Sequence, residues 1–239
     1  MARHAPISLP LSTSGMLGIL LSACTTSRAP PPVAPPPTNG ASVELLPADA
    51  IPTAWEEVIT PADKDRLART EQAWSEALAE ARQAGFSADI AGEGPLLDPA
   101  VALPRPAPPP GPYMCRVVKL GIPAAEARRR GRAFAAYKPF NCYIEAEGAL
   151  LTIVKQSGSQ RPAGRLWQDG ESRLVFLGTM ERDQEAAPPA YATDADRDLA
   201  GYVERVAPFR WRLAIPWPQQ DSILDILELI PIPPETRLN

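Results

Sequence analysis

Histidine is nearly missing: the only one among 239 residues is His4. Ser-His-Asp or Cys-His catalysis, His-ligated zinc and a near-neutral imidazole base would all depend on that single ring. Cysteine is scarce too, at three, Cys24, Cys115 and Cys142. No GxSxG, HExxH, P-loop or dinucleotide-binding glycine pattern occurs. Basic side chains do not outnumber acidic ones: 24 Lys and Arg face 28 Asp and Glu, a formal charge of −4. A nucleic-acid partner is disfavoured, because that role calls for clustered positive charge on a basic domain. A long apolar run is absent as well. The strongest stretch, Met16–Leu21, is short and is preceded by Pro10, Ser12, Thr13 and Ser14, whereas a membrane span needs about 20 apolar residues.

What is present at the N-terminus reads as a processing segment. Arg3 supplies positive charge, no acid precedes Cys24, and small residues follow the short apolar run. Leu21-Ser22-Ala23-Cys24 resembles the lipobox of bacterial lipoproteins. That resemblance implies cleavage after residue 23 and acylation of Cys24, with two or more acyl chains holding the protein to a leaflet without spanning it. The alternative is an ordinary signal peptide, with Cys24 incidental. Thr25 is not the Asp that favours inner-membrane retention, so the expected address is the cell envelope, on the outer membrane and facing the periplasm. Cleavage would remove His4 and leave a mature chain with no imidazole. Losing Arg3 as well leaves 23 basic against 28 acidic side chains, or −5.

The expected organisation is a signal segment at 1–23, a lipidated Pro-rich tether at 24–52, one globular domain at 53–232 and a tail at 233–239. Pro30–Pro37 carries two triplets of proline, a stiff and solvated spacer. Fully extended at about 3.1 Å per residue, the tether would reach roughly 90 Å. A second proline concentration lies at Pro104–Pro112. With Cys24 acylated, an oxidising compartment makes Cys115 and Cys142 a disulfide pair. Two buried free thiols are the alternative.

Thr60-Pro61-Ala62-Asp63 opens a helix: Thr60 can cap, Pro61 suits the first position and Asp63 suits the positive end of the dipole. Leu67, Trp74, Leu78 and Ala81 then share a face, and Gly85 is a stop, so a helix is expected over 61–84 with its stripe and Trp55 in one core. From residue 112 to 231 the period changes to two. Cys142, Ile144 and Ala146 alternate with polar neighbours, as do Phe209, Trp211, Leu213 and Ile215. Leu150–Val154 and Arg173–Thr179 read as buried strands. Tyr113–Leu120, Arg165–Gln168 and Tyr202–Val206 are further candidates, and Ser222–Ile230 fits either a helical turn starting at Ser222 or a strand from Asp225, of which the strand is favoured. Gly148 and Ala207-Pro208 are expected turns. The fold class is α+β, β-dominant: an N-terminal amphipathic helix packed on an antiparallel sheet of about eight short strands, barrel-like or a sandwich.

Eight stretches also carry a resemblance: WEEVITPADKDRL at 55–67, YMCR at 113–116, FNCYI at 140–144, GSQRPAG at 158–164, RLVFLGT at 173–179, AGYVER at 200–205, RWRL at 210–213 and LDILEL at 224–229. Together they resemble a bacterial lipoprotein family catalogued as domain of unknown function 4893, over roughly residues 50 to 231. The family name carries no activity, so the resemblance implies no functional residue. The Arg-rich insert 128–132 is more basic than its pattern.

Without imidazole, only carboxylate, Ser/Lys and Arg chemistry remains. Glu145, Glu147, Asp225 and Glu228 are candidates for a two-carboxylate hydrolase, although strand alternation places them on a solvated outer face. Lys155 stands near Ser157 and Ser159. Asp194, Asp196 and Asp198 open like a calcium loop, but Leu199 and Arg205 occupy its sixth and twelfth positions, where Gly and Glu are needed. No cofactor and no metal ligand set is expected. Arg128, Arg129, Arg130 and Arg132 form the one basic cluster, a candidate contact for anionic lipid or phosphate in a loop bounded by the two cysteines. Ser159, Gln160 and Arg161 are the candidate binding loop, polar and flanked by Gly158 and Gly164. The expected role is a non-enzymatic binding or envelope-structural module, with the bilayer and an envelope protein or glycan as partners. The alternatives are a carboxylate-based envelope hydrolase and a protease-inhibitor-like lipoprotein.

Overall fold

Alternation of inward and outward side chains governs the chain from Gly111 to Pro231. The computed structural model describes residues 52–123, 132–156, 160–182, 185, 189–219 and 222–233, all within the unit Asn39–Asn239. The signal segment, Cys24, the tether up to residue 51, Arg128, Arg129, Arg130, Ser157, Ser159 and tail residues 234–239 lie outside the described residues.

Nine strands form one antiparallel sheet: β1 (Gly111–Leu120), β2 (Phe134–Ala136), β3 (Phe140–Glu147), β4 (Leu150–Lys155), β5 (Gln160–Asp169), β6 (Arg173–Arg182), β7 (Asp198–Ala207), β8 (Arg210–Pro216) and β9 (Leu224–Pro231). From β3 to β9 each strand pairs with the next. β1 pairs with β3 on one side and with β9 on the other, from Tyr113↔Pro231 to Leu120↔Leu224. Eight strands therefore close into an up-and-down barrel, and short β2 lies beside β1 beyond β3. Closure removes the sheet edges that a sandwich would leave exposed.

One apolar cluster takes members from every strand of the ring, including Tyr113, Cys142, Ile153, Leu166, Phe176, Val203, Trp211 and Leu227, and this is the barrel interior. Eight strands leave a lumen just wide enough for side chains to fill. Cys115 and Cys142 are disulfide-bonded inside it, with Cα atoms 5.9 Å apart. The Tyr113 and Trp211 rings meet edge to face at 6.3 Å. Gly164 and Gly178 face each other across β5 and β6. A Cβ on Gly178 would fall 2.3 Å from the Ala163 carbonyl oxygen, so close approach of backbones requires glycine here.

The helical segment departs from expectation. Instead of one helix over 61–84 there are α1 (Pro61–Ala68), α2 (Thr70–Gln83) and α3 (Ser87–Glu93), with short 3-10 turns at Trp55–Glu57 and Gly94–Leu97. The Thr60 side chain does cap α1, accepting from the Asp63 N–H at 3.2 Å. The break falls at Arg69, beside Thr70, whose hydroxyl donates to the Leu67 carbonyl at 2.8 Å. Such a side-chain bond competes with the helical ladder. The break also divides the predicted stripe. Trp74, Leu78 and Ala81 join Val118, Leu120, Ala214, Leu224 and Ile226 in one cluster on the outer wall. Leu67 and Trp55 belong to another, with Trp167, Val175, Leu177 and Ala200.

Candidate functional site

The wall of the barrel bears its charges in matched sets. Arg116 pairs with Glu93 at 2.5 Å and with Glu228 at 2.9 Å, and Glu228 also takes Arg210 at 2.6 Å. Arg165 pairs with Glu147 at 2.8 Å. Lys119 and Asp225 pair at 3.3 Å, and the Ser222 hydroxyl donates to Asp225 at 2.5 Å. Of the four carboxylates read as hydrolase candidates, Glu145 is exposed. Asp225 and Glu228 are 7% and 5% exposed, so the solvated outer face expected for them is corrected. Their register explains it: Asp225 lies opposite Lys119 and Glu228 opposite Arg116, and ion pairing permits burial. Asp225 follows the inward alternation of Leu227 and Leu229, whereas Glu228 points the other way, so these two acids do not converge on one substrate position.

The candidate binding loop is corrected as well. Gln160 and Arg161 begin strand β5 rather than sitting in a loop. Arg161 is ion-paired to Glu181 on β6. Lys155 donates to the Gln160 carbonyl at 2.6 Å and lies 4.2 Å from the Phe140 ring centroid. Burial, with Lys119 and Arg161 nearby, lowers the pKa of its ammonium. Pro162 lies just beyond the last β4 pairing at Ala163, so it is flanked by a strand on the β6 side alone, an edge position of the kind that tolerates proline. Arg132, the described member of the arginine cluster, is exposed. Asp198 is buried and accepts from the Ala192 N–H at 2.9 Å, while Asp194 pairs with Arg197 at 3.1 Å. The two acids therefore serve their own turn. Among the described residues no group of three or more His, Cys, Asp or Glu side chains is placed to hold a metal ion.

A second buried set fastens α1 to the barrel. Asp63, fully buried, accepts from Tyr191 at 2.6 Å and is ion-paired to Arg66. Arg66 also donates to the carbonyls of Asp198 at 2.9 Å and Trp217 at 3.2 Å. Burial raises the Asp198 pKa. These groups are engaged with one another and line no described cleft.

The cleft lies elsewhere, open to solvent and enclosing about 820 Å3 between α2 and the barrel wall. One side is helical: Glu71, Trp74, Ser75, Leu78 and Arg82 recur at three- and four-residue spacing along α2. The other side is the Pro99-Ala100 segment with Arg173 of β6 and Tyr202 and Glu204 of β7. The Arg173 guanidinium lies 4.1 Å from the Tyr202 ring centroid and pairs with Asp169 at 2.6 Å. Burial raises the Tyr202 pKa. Beneath Trp74 sits Arg212, with no solvent exposure, paired with Glu204 at 2.7 Å. It also donates to the carbonyls of Leu96, Asp98 and Val101 at 3.1, 2.7 and 3.0 Å. Arg212 thereby holds the segment that forms the far lip of the cleft. Glu71 and Arg82 are exposed, and their side chains make no ion pair or hydrogen bond among the described residues.

Sequence reasoning did not assemble this cleft. Its helical residues carry the signature of a core stripe, and Pro99-Ala100 has no motif. Arg173, Tyr202 and Glu204 meet α2 only because β6 and β7 pair beside it.

The family described as Domain of unknown function (DUF4893) matches residues 55–229. No curated protein and no solved structure matches the chain.

Proposed function

The chain belongs to the family of that domain of unknown function, and we propose that it is a lipid-anchored module of the bacterial cell envelope that acts by binding. Acylated Cys24 holds it to the leaflet, on the outer membrane facing the periplasm, and the Pro-rich tether carries the barrel to an envelope partner. The observation that carries this reading is the Cys115–Cys142 disulfide inside the barrel. Structural disulfides persist outside the reducing cytoplasm, and the chain begins with a charged start, a short apolar run and a lipobox-like ending. Among the described residues no helix is long and apolar enough to cross a membrane. The anchor in this reading is therefore the acyl chains. Binding is favoured over hydrolysis because Glu147, Asp225 and Glu228 are each taken up by Arg or Lys partners and Glu145 stands exposed, whereas the outer cleft is open.

Mass spectrometry of the chain from its native bacterium tests the anchor. The expected result is a mature N-terminus at Cys24 carrying acyl mass, in the membrane fraction, with Cys24→Ser abolishing both. An unmodified full-length chain in the soluble cell interior would overturn the reading.

A further inference from the structure

The cleft along α2 gives the binding reading, on which this inference rests, a ligand class. We propose that it takes an extended peptide of about five residues with free termini, its amine at Glu71 and its carboxylate at Arg82.

Three observations lead there. First, two charges on the cleft, one acid and one guanidinium, have no partner among the described residues and stand near the two ends of α2 where that helix lines it. Eleven residues separate them, which at 1.5 Å per residue is about 16 Å. An extended peptide covers that distance in about five residues at roughly 3.3–3.6 Å each. Second, the remaining charges are already matched. Arg173 is held by Asp169 and Glu204 by Arg212. The cleft is therefore balanced in sign, suiting a ligand with one charge of each kind better than a polyanion. Third, its aromatic faces are occupied. Arg212 covers Trp74, which is 5% exposed, and Arg173 covers Tyr202. A glycan would need a free ring face on which to stack. An unbranched peptide needs only apolar walls, which the exposed Ala79, Pro99 and Ala100 provide, and a solvent-facing side where its amides stay hydrated.

The experiment uses the full chain, immobilised, and pools of random pentapeptides: one with free termini, the other N-acetylated and C-amidated. The free pool should be retained several-fold over the blocked pool. A free tripeptide pool, too short to reach both ends, should behave like the blocked one. Glu71→Gln should remove the dependence on the free amine and Arg82→Gln the dependence on the free carboxylate. The double variant should lose retention by about tenfold, the scale of two partly exposed charge pairs. Both residues are exposed, so an unchanged melting temperature shows that the fold is intact. Equal retention of free and blocked pools, or full retention by the double variant, would overturn the proposal. The acyl mass on Cys24, measured on the same preparation, separates the two ideas. An acylated chain that retains no free peptide ends the peptide proposal alone. An unacylated chain that retains it selectively ends the anchor alone.

Discussion

The guanidinium of Arg212 lies 4.8 Å from the Trp74 ring centroid, so a residue of β8 and a residue of α2 are joined by a fully buried cation. The same side chain reaches the carbonyls of Leu96, Asp98 and Val101, as well as Glu204. One planar fork thus fixes the 94–101 segment, the helix and the barrel wall together. Arg212→Met should cost about 3–5 kcal/mol, because it strands buried carbonyls and leaves Glu204 without its partner. Arg212→Lys should rescue little, since a single ammonium cannot serve that fork. Urea unfolding of the two variants checks this, and a loss under 1 kcal/mol for Met would contradict it.

The interior disulfide closes a loop of about 28 residues. Replacing Cys115 and Cys142 together with Ala should lower stability by about 3.6 kcal/mol in the chain-entropy model. The unreduced, unfolded wild-type chain should show no reactive thiol from this pair. Two thiols appearing in that titration would contradict the bridge.

Burial holds the Asp198 carboxyl above its ordinary value of 3.8. In the window from 3.8 up to the raised value, the folded chain keeps a proton that the unfolded chain has lost. Stability attributable to this group therefore falls as pH rises through that window. Asp198→Asn removes the titration, while its amide oxygen can still accept from Ala192. The variant's stability should fall less steeply with pH there than the wild type's. Identical slopes would count against the assignment.

Two glycines make a matched pair of tests. At Gly178 a new methyl would meet the Ala163 carbonyl oxygen at 2.3 Å and the Gly164 Cα at 2.8 Å, so Gly178→Ala should cost roughly 1–3 kcal/mol by overpacking. At Gly92, inside α3, nothing lies within 4 Å, and Gly92→Ala should stabilise by roughly 0.5–1 kcal/mol. Thermal unfolding should move in opposite directions. A shift of the same sign would show that the close approach is not what matters.

Phe209, at the β7–β8 turn, is 73% exposed and has φ of 54°. A bulky side chain pays about 1–2 kcal/mol for that left-handed backbone, and an Asn pays less. Phe209→Asn should raise stability by roughly 0.5–1 kcal/mol in a urea titration. A clear loss would mean that the ring makes a packing contribution larger than the backbone strain.

Parts of the architecture were legible residue by residue. The Thr60 cap, the Gly148 turn, the alternation of Cys142 with Ile144 and of Trp211 with Leu213 and Ile215, and the strand at 224–231 all follow from neighbours within a few positions, whereas Phe209, expected on the same inward face, is exposed in the turn before β8. The extension of β5 back to Gln160 was hidden by Pro162 and two flanking glycines, which read as loop. Its β6 partners, Glu181 and Met180, came from a distant stretch of chain. The break at Arg69 was hidden because Leu67, Trp74 and Leu78 keep a helical period across it. The cleft was invisible for a related reason. A helix stripe records only that something apolar covers it, not that Glu71 and Arg82 on its flank line an open cleft.

The sequence by itself determined the local periods, the sole pair of cysteines after residue 24, the shortage of imidazole and the family. Only the tertiary structure decided that the sheet closes into a ring, that Arg212, Asp225 and Glu228 are buried, and that a groove opens beside α2. The physical reason is range. Periodicity and capping depend on residues a few positions apart, so they are written in order along the chain. Ring closure pairs Tyr113 with Pro231, and the desolvation of a charge depends on whatever lies across the sheet. Those quantities come into being only when distant segments meet.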